Sequence, residues 1–486
     1  MGRQTHTVSI NFTGGIISPG YLQEALKIAE AAKVTEVRFG LRQQLLIDVP
    51  VKHFRQFSTQ CKQQKIQFHE PESCHNITSS YPAAGIFTSG NSWLSEGDYK
   101  DVFDLFDYTP TLKLNICDSH QTFVPFFTGH INWIASEHPH YWYLFVRFQG
   151  SSQLLAWPEL IYTNEISRLS RHIENLQTSG VQEDKLYERT KVTLEYMGRP
   201  LSKELELPNF HLPYYEGFNR YNNSYWLGIY RRDELFPLPF LQDICAICLE
   251  TKTGQLYATP WKSIIIKNID PAHRPLWDYV LGKYRINVRH AANELNWQVE
   301  DHSEDCLVLK RHVIRYFDKE DVRTYGLCFS VHMQSAASEF GSVVIRRQEN
   351  KYGSKLKYMH RYDILYTQGF NPNSSTLVLY REHVSKEHLG PYLVSLCKEF
   401  YEKASEADPL QDLMSSRQTV AHVRAPERKV HQCSQCLSVY DEALGEPEQG
   451  IEPGTAFNDL PPGFGCALCG ADVNAFDAVS ESVLGC

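Results

Sequence analysis

Near the end of the chain, Cys433-Ser-Gln-Cys436 is separated by 29 residues from Cys466-Ala-Leu-Cys469. A CxxC hook lets two sulfurs reach one ion. Two such hooks make a tetrahedral set of four thiolates, and that donor set selects zinc or iron. Backbone N–H groups that follow each hook point at the sulfurs, stabilise their charge and tune a redox potential.

The stretch between the hooks discriminates between the two metals. It carries Val439-Tyr440-Asp441, then Gly450-Ile451-Glu452-Pro453-Gly454-Thr455, Phe457, Leu460-Pro461, and after the second hook Gly470 and Phe476. With these residues the segment of roughly 429–480 resembles rubredoxin. The resemblance implies one iron ion on Cys433, Cys436, Cys466 and Cys469, passing one electron. Tyr440, Phe457, Phe464 and Phe476 are expected to form an apolar wall that limits water. Three positions depart from the family pattern: Leu437 replaces the glycine after the first hook, Phe464 a tryptophan, and Ala467 a proline. A non-glycine residue at positive φ costs roughly 1 kcal/mol, so Leu437 is expected to alter the first hook. A zinc ribbon also uses two CxxC hooks and is the competing reading, although it has no need of the intervening pattern.

At 486 residues the chain is expected to hold two or three domains. Its net charge of −9, without a basic run, argues against nucleic acid as a partner. An acidic redox protein is suited instead to a basic patch on a redox partner protein, a reductase or an electron donor. Nine of the 13 cysteines lie outside the hooks, mostly scattered, and their odd number suits free thiols in a reducing compartment. No signal-peptide core is recognised in MGRQTHTVSINF, and no run of about 18 apolar residues spans a membrane. The expected location is the cytoplasm.

The first 405 residues read as a duplicated α+β body. In the first half a strand ends in Gly14-Gly15. A helix over 21–32 follows, with Leu22, Ala25, Leu26, Ile28 and Ala29 at helical spacing, then strands at 36–40 and 44–49. The second half repeats the order with a strand at 225–229, a helix at 240–250, and strands at 254–258 and 263–266. Each half closes on strands and a helix: 141–148 with 166–176, and 362–366 and 376–380 with 388–403. Thr163 and Ser385 are expected as N-caps. The domains read as 1–180, 181–405, a linker at 406–428, and the metal domain at 429–486. A linker of ~22 flexible residues reaches roughly 25 Å and tethers the metal domain at high effective concentration.

The body resembles the nitrite/sulfite reductase superfamily. The residues that carry this are Arg38-Phe39-Gly40-Leu41-Arg42-Gln43, its counterpart Tyr257-Ala258-Thr259-Pro260-Trp261-Lys262, the segment Cys74 to Ser80, and Leu112 to Cys117. The resemblance implies pseudo-symmetric ferredoxin-like and α/β halves. It also implies sirohaem, whose carboxylates Arg38, Arg42 and Lys262 would clamp. The family's four-iron cluster is not expected, because Asp118-Ser119-His120 follows Cys117 where a second cysteine is needed. Cys245 and Cys248 have metal spacing but lie on an apolar helix and read as core. His120, His130, His138 and His140 fit no tight metal motif. No dinucleotide fingerprint, P-loop or nucleophile elbow occurs, and no catalytic residue is assigned.

The sequence thus points to an electron carrier with a mononuclear Fe(Cys)4 centre, serving a reductase of nitrate/nitrite or sulfite metabolism. It reads as a carrier or reductase component rather than a complete enzyme. The alternatives are a clusterless sirohaem-type reductase and a zinc-binding interaction protein.

Overall fold

The structure, a computed structural model, describes residues 5–71, 73–87, 93–120, 123–221, 223–333, 340–348, 360–374, 376–406 and 429–480. Of the expected linker, residues 407–428 lie outside the described residues. The chain divides into two compact units, Met1–Glu402 and Lys403–Cys486.

The body opens with β1 (Thr5–Ile10), β2 (Ile16–Ile17), α1 (Pro19–Ala31), β3 (Glu36–Phe39), β4 (Leu45–Pro50) and α2 (Val51–Gln63). An α/β layer follows, with β5 (Ile77–Ser79), α3 (Glu96–Asp104), β6 (Leu114–Cys117), β7 (Ile131–Ala135), β8 (Tyr141–Val146), β9 (Leu155–Ala156), β10 (Glu159–Tyr162), α4 (Ile166–Thr178), α5 (Leu186–Thr193) and β11 (Gly198–Pro200). The second half begins with β12 (Gly217–Tyr221), β13 (Ser224–Ile229), β14 (Phe236–Pro237), α6 (Leu238–Glu250), β15 (Leu256–Ala258), β16 (Ile264–Ile269) and α7 (Arg274–Lys283). It ends with α8 (Ala292–Leu295), β17 (Trp297–Val299), α9 (Glu304–Lys319), β18 (Phe329–His332), β19 (Val343–Arg347), β20 (Tyr362–Thr367), β21 (Leu377–Val384) and α10 (Lys386–Glu406).

The repeat expected from the sequence is present in the pairing. β5, β6 and β7 run parallel, and β8, β10 and β11 extend that sheet antiparallel. β17, β18 and β19 likewise run parallel before β20 and β21 turn antiparallel. All residues of β6 and β7 are buried, as a sheet covered on both faces requires. The ferredoxin-like sheets are interlocked. β14 of the second half pairs with β3 of the first, and β2 of the first pairs with β15 of the second. α1 and α6 bury Leu22, Leu26, Ala29, Leu241, Ile244, Cys245 and Cys248 in one shared core, so neither half closes its core alone.

The two signature turns are structural counterparts. Gln43 N–H donates to Gly40 O and Lys262 N–H to Thr259 O, with φ of 59° and 56°. Thr163 is not a cap. Its hydroxyl accepts from Trp142 Nε1 at 2.9 Å and donates to His140 O at 3.0 Å, which ties α4 to β8. Ser385 precedes α10, and its hydroxyl bonds His388 Nδ1 at 2.9 Å.

The tail forms a three-stranded antiparallel sheet from β22 (Lys429–Cys433), β23 (Val439–Tyr440) and β24 (Phe476–Ser480), with β22 central. Among the described residues, no helix is long and apolar enough to cross a membrane.

Candidate metal centre

The first hook leaves the end of β22, and the second leaves a loop crossed by the Gly465–Asp472 bridge. Both turns use one hydrogen-bond scheme. Leu437 N–H donates to Cys433 O and Gly470 N–H to Cys466 O, each at 2.8 Å. Cys433 N–H donates to Ser438 O and Cys466 N–H to Ala471 O, again at 2.8 Å. Leu437 and Gly470 are therefore equivalent, with φ of 62° and 71°. The expected departure is real in the backbone: Leu437 holds the left-handed conformation that glycine adopts in the other hook.

The four sulfurs lie within 4.8 Å of one another. Cys433 and Cys469 sulfurs are 3.7 Å apart, and those of Cys436 and Cys466 are 3.4 Å apart. Metal–sulfur bonds of ~2.3 Å in a tetrahedron put sulfurs about 3.8 Å apart, so the quartet is at bonding spacing for one ion. Four thiolates this close repel, and their titration splits accordingly. The Ser438 hydroxyl, 2.9 Å from Cys466 Sγ, chiefly pulls the Cys466 thiol down to about 6. The Ala471 N–H lowers Cys469, but partial desolvation and the neighbouring thiols outweigh it and push that thiol up to about 12. A cation relieves the conflict. Chemically, the donor set fits iron or zinc.

Behind the sulfurs the four expected aromatic residues form a closed ring. Centroid distances are 5.5 Å for Tyr440–Phe464, 6.0 Å for Phe464–Phe476, 5.6 Å for Phe476–Phe457 and 5.8 Å for Phe457–Tyr440. Phe476 also packs beside Cys433 and Cys466, so the apolar wall reaches the metal site. Tyr440 keeps its hydroxyl satisfied by donating to Thr455 O at 2.8 Å. Gly445, at φ 64°, is required there, since a Cβ would stand 2.6 Å from Glu452 O. Cys433 and Cys466 are buried, whereas Cys469 is exposed and Cys436 half-exposed. One edge of the quartet therefore faces solvent, flanked by Leu437 and Leu468 at 65% and 75% exposure.

A family model for rubredoxin matches residues 430–476. The same segment is 52% identical over 48 residues to Rubredoxin 4 of Rhodococcus sp. (strain Q15), covering 80% of that protein. The tail is a rubredoxin domain, and through it the chain belongs to that family. This domain is 49% identical over 49 residues to a high molecular weight rubredoxin of Moorella thermoacetica, spanning 21% of that protein. It is 46% identical over 48 residues to an anaerobic nitric oxide reductase flavorubredoxin of Pectobacterium carotovorum, spanning 10% of it. Each match covers 10% of the present chain. Among solved structures, the Mycobacterium tuberculosis NirA protein superposes on 82% of the chain and 81% of its own length, with a TM-score of 0.58 and 13% identity. At that identity the likeness is one of fold. It bears out the mixed α+β fold expected of the body, to which the rubredoxin domain is joined.

The three cations expected to clamp tetrapyrrole carboxylates are engaged inside the body. Arg42 donates to Asn76 O at 2.8 Å, Leu114 O at 2.7 Å and Asn115 Oδ1 at 3.0 Å, and burial pulls its guanidinium down to about 9. Lys262 is 3% exposed and pairs with Glu234 at 2.7 Å and Asp301 at 3.2 Å. Burial lowers its ammonium, and these two carboxylates more than reverse the shift. Arg38 meets His302 Nδ1 at 3.2 Å and Asp48 at 3.7 Å. Arg42 and Lys262, with their donors turned to the protein, do not fit a carboxylate clamp, whereas Arg38 keeps its Nε without a hydrogen-bond partner. The neighbouring Gln43 carries a role that sequence reading missed. Fully buried, it donates to Ser79 O and Ala258 O and accepts from Ser79 N–H, joining β5 to β15 of the other half.

The body's cysteines sit in its cores, Cys245 and Cys248 among them. Burial pushes the Cys61 thiol up to about 11 and those of Cys245, Cys306 and Cys397 to about 12. The four histidines singled out earlier have separate partners: Ser119 for His120, Lys113 N–H for His130, Ser202 for His138 and Asp98 for His140.

Proposed function

We propose that the chain is an electron carrier in which Cys433, Cys436, Cys466 and Cys469 hold one iron ion. The observation that carries this reading is the convergence of four sulfurs within 4.8 Å, on two hooks of matching geometry, in a rubredoxin domain. Iron on four thiolates supplies a one-electron Fe(III)/Fe(II) couple. The residues of the chain do the rest. The paired hooks fix the sulfur positions, so little reorganisation accompanies electron gain. Backbone N–H groups and Ser438 stabilise thiolate charge. The ring of Tyr440, Phe457, Phe464 and Phe476 keeps water from the buried side. The exposed edge at Cys436 and Cys469 is the point of electron entry and exit.

The partner is a redox protein with a basic face. Between residues 429 and 480 there are eight Asp and Glu residues against one Lys, and such a surface steers a cationic partner at low salt. The NirA-like fold of the body, together with a relative named as a nitric oxide reductase flavorubredoxin, supports a place beside a reductase of nitrite or sulfite metabolism. The second reading, a clusterless sirohaem reductase, draws on the same fold. The internal commitment of Arg42 and Lys262 weighs against it.

The test is metal analysis and a visible spectrum on anaerobically purified full-length protein. One iron per chain, with iron–thiolate bands that bleach reversibly with dithionite, is expected. One zinc and a colourless sample overturns the proposal. Tetrapyrrole bands select the second reading.

A further inference from the structure

In the second half of the body, α9 is started by Ser303, whose hydroxyl accepts from Cys306 N–H, with Glu304 and Asp305 in its first turn. Lys310, Arg311, Arg315 and Asp318 follow along one side of this helix at spacings that share a face. That side looks onto Arg232, in the turn after β13, and Glu294 on α8. Between them lies a recess of about 110 Å³. A single water needs only ~15 Å³, and a drug-sized ligand roughly 300 Å³ or more. The recess is sized for a small polyatomic ion.

Its lining is cationic. Arg232, Lys310, Arg311 and Arg315 face two carboxylates, Glu294 and Asp318, an excess of two positive charges. Glu294 is already taken by Arg232 in a forked pair at 2.7 and 2.6 Å. Lys310 is the telling residue. It is 3% exposed, its ammonium bonds Tyr230 Oη at 2.9 Å, and among the described residues it has no carboxylate within 4.0 Å. A buried ammonium with no carboxylate in direct contact is disfavoured. Burial pulls its proton affinity down to about 8, and the support of the more distant Glu234 and Glu294 is opposed by Lys262 and Arg232. Arg311 keeps a buried Nε without a hydrogen-bond partner, although its Nη2 reaches Glu304 at 2.9 Å. Arg315 makes no ion pair among the described residues.

We propose that this recess binds a doubly charged tetrahedral oxyanion, inorganic phosphate or sulfate, with Lys310 at its base and Arg311 and Arg315 at its rim. Arginine forks match the oxygen spacing of such an anion. The anion supplies the direct ion pair that Lys310 lacks among the described residues, and it pins α9 to α8 and the turn after β13. The site lies wholly within the body and is independent of the iron reading.

Thermal unfolding of the full-length protein, freed of phosphate and sulfate and followed by tryptophan fluorescence, tests this. Sodium phosphate and sodium sulfate are titrated against sodium chloride at matched ionic strength. A saturable rise in Tm with the dianions and none with chloride is expected, since a ligand that binds only the folded state stabilises it by mass action. Equal responses mean recognition by charge and shape; a response to phosphate alone means that Asp318 accepts its remaining proton. Arg315→Gln, on an exposed side chain with no internal pair, should weaken the midpoint at least tenfold while leaving the anion-free Tm unchanged. Lys310→Met should abolish the response. A Tm that follows ionic strength alone, or an unchanged midpoint in Arg315→Gln, overturns the proposal.

Discussion

The tail brings its four cysteines to one point, whereas the eight described cysteines of the body sit apart from any such quartet, buried in its cores. The residue type is the same and its chemistry is opposite. In the tail, backbone N–H groups of the hook turns reach the sulfurs of Cys436, Cys466 and Cys469, and one edge is open to solvent. In the body, burial raises the thiols, so they act as small apolar side chains. Spacing alone does not separate the two cases, since Cys245 and Cys248 are also three apart. The difference is the backbone between them: a helix in one case, a left-handed turn in the other.

The two regions can be followed independently. All eight tryptophans lie between residues 93 and 297, so their fluorescence reports the body, while visible bands report the tail. The largest effect is expected from Cys436→Ser, which should remove the normal iron–thiolate bands and leave body fluorescence unfolding unchanged. Cys245→Ser should do the reverse, keeping the bands and costing the body about 1–2 kcal/mol. Band loss in Cys245→Ser would break the comparison. Arg42→Ala should destabilise the body by about 3 kcal/mol in urea unfolding, because Asn76 O and Leu114 O lose their donor, with the visible spectrum intact.

Acid should separate the regions further. Burial, reinforced by the cations Arg42 and Lys113, holds His75 down to about 3 and His130 to about 4. Unfolded histidines titrate near 6.5. The unfolded body therefore binds more protons, and this contribution is full above about pH 6.5. It is lost as pH falls through about 4 towards 3. Fluorescence-detected urea midpoints should drop from pH 7 to pH 5, and His75→Gln should flatten that slope. An unchanged slope would remove His75 from the account. The smallest effect is expected in the tail. Leu437→Gly should relieve the left-handed strain and raise the thermal stability of the visible bands by about 1 kcal/mol.

Much of the architecture was legible before the structure. Helical spacing at Leu22, Ala25, Leu26 and Ala29 and the repeated strand order gave the two halves, because local pattern follows which face is buried. The short exchanged strands β2 and β14 were not legible: two residues carry no periodicity, and their partners lie in the other half. Thr163 was read as a cap from local type, but Trp142, 21 positions away, took its hydroxyl. The partners that engage Arg42 and Lys262 are likewise invisible in one dimension.

The spacing of the two hooks, the left-handed turns and the aromatic residues between them determined the metal domain. Each is a short-range device whose geometry hardly depends on the surrounding fold. What Arg42, Lys262 and Lys310 do was decided only by the tertiary structure. A charged side chain is defined by the groups that meet it, and here those come from Asn115, Glu234 and Tyr230, 73, 28 and 80 positions away.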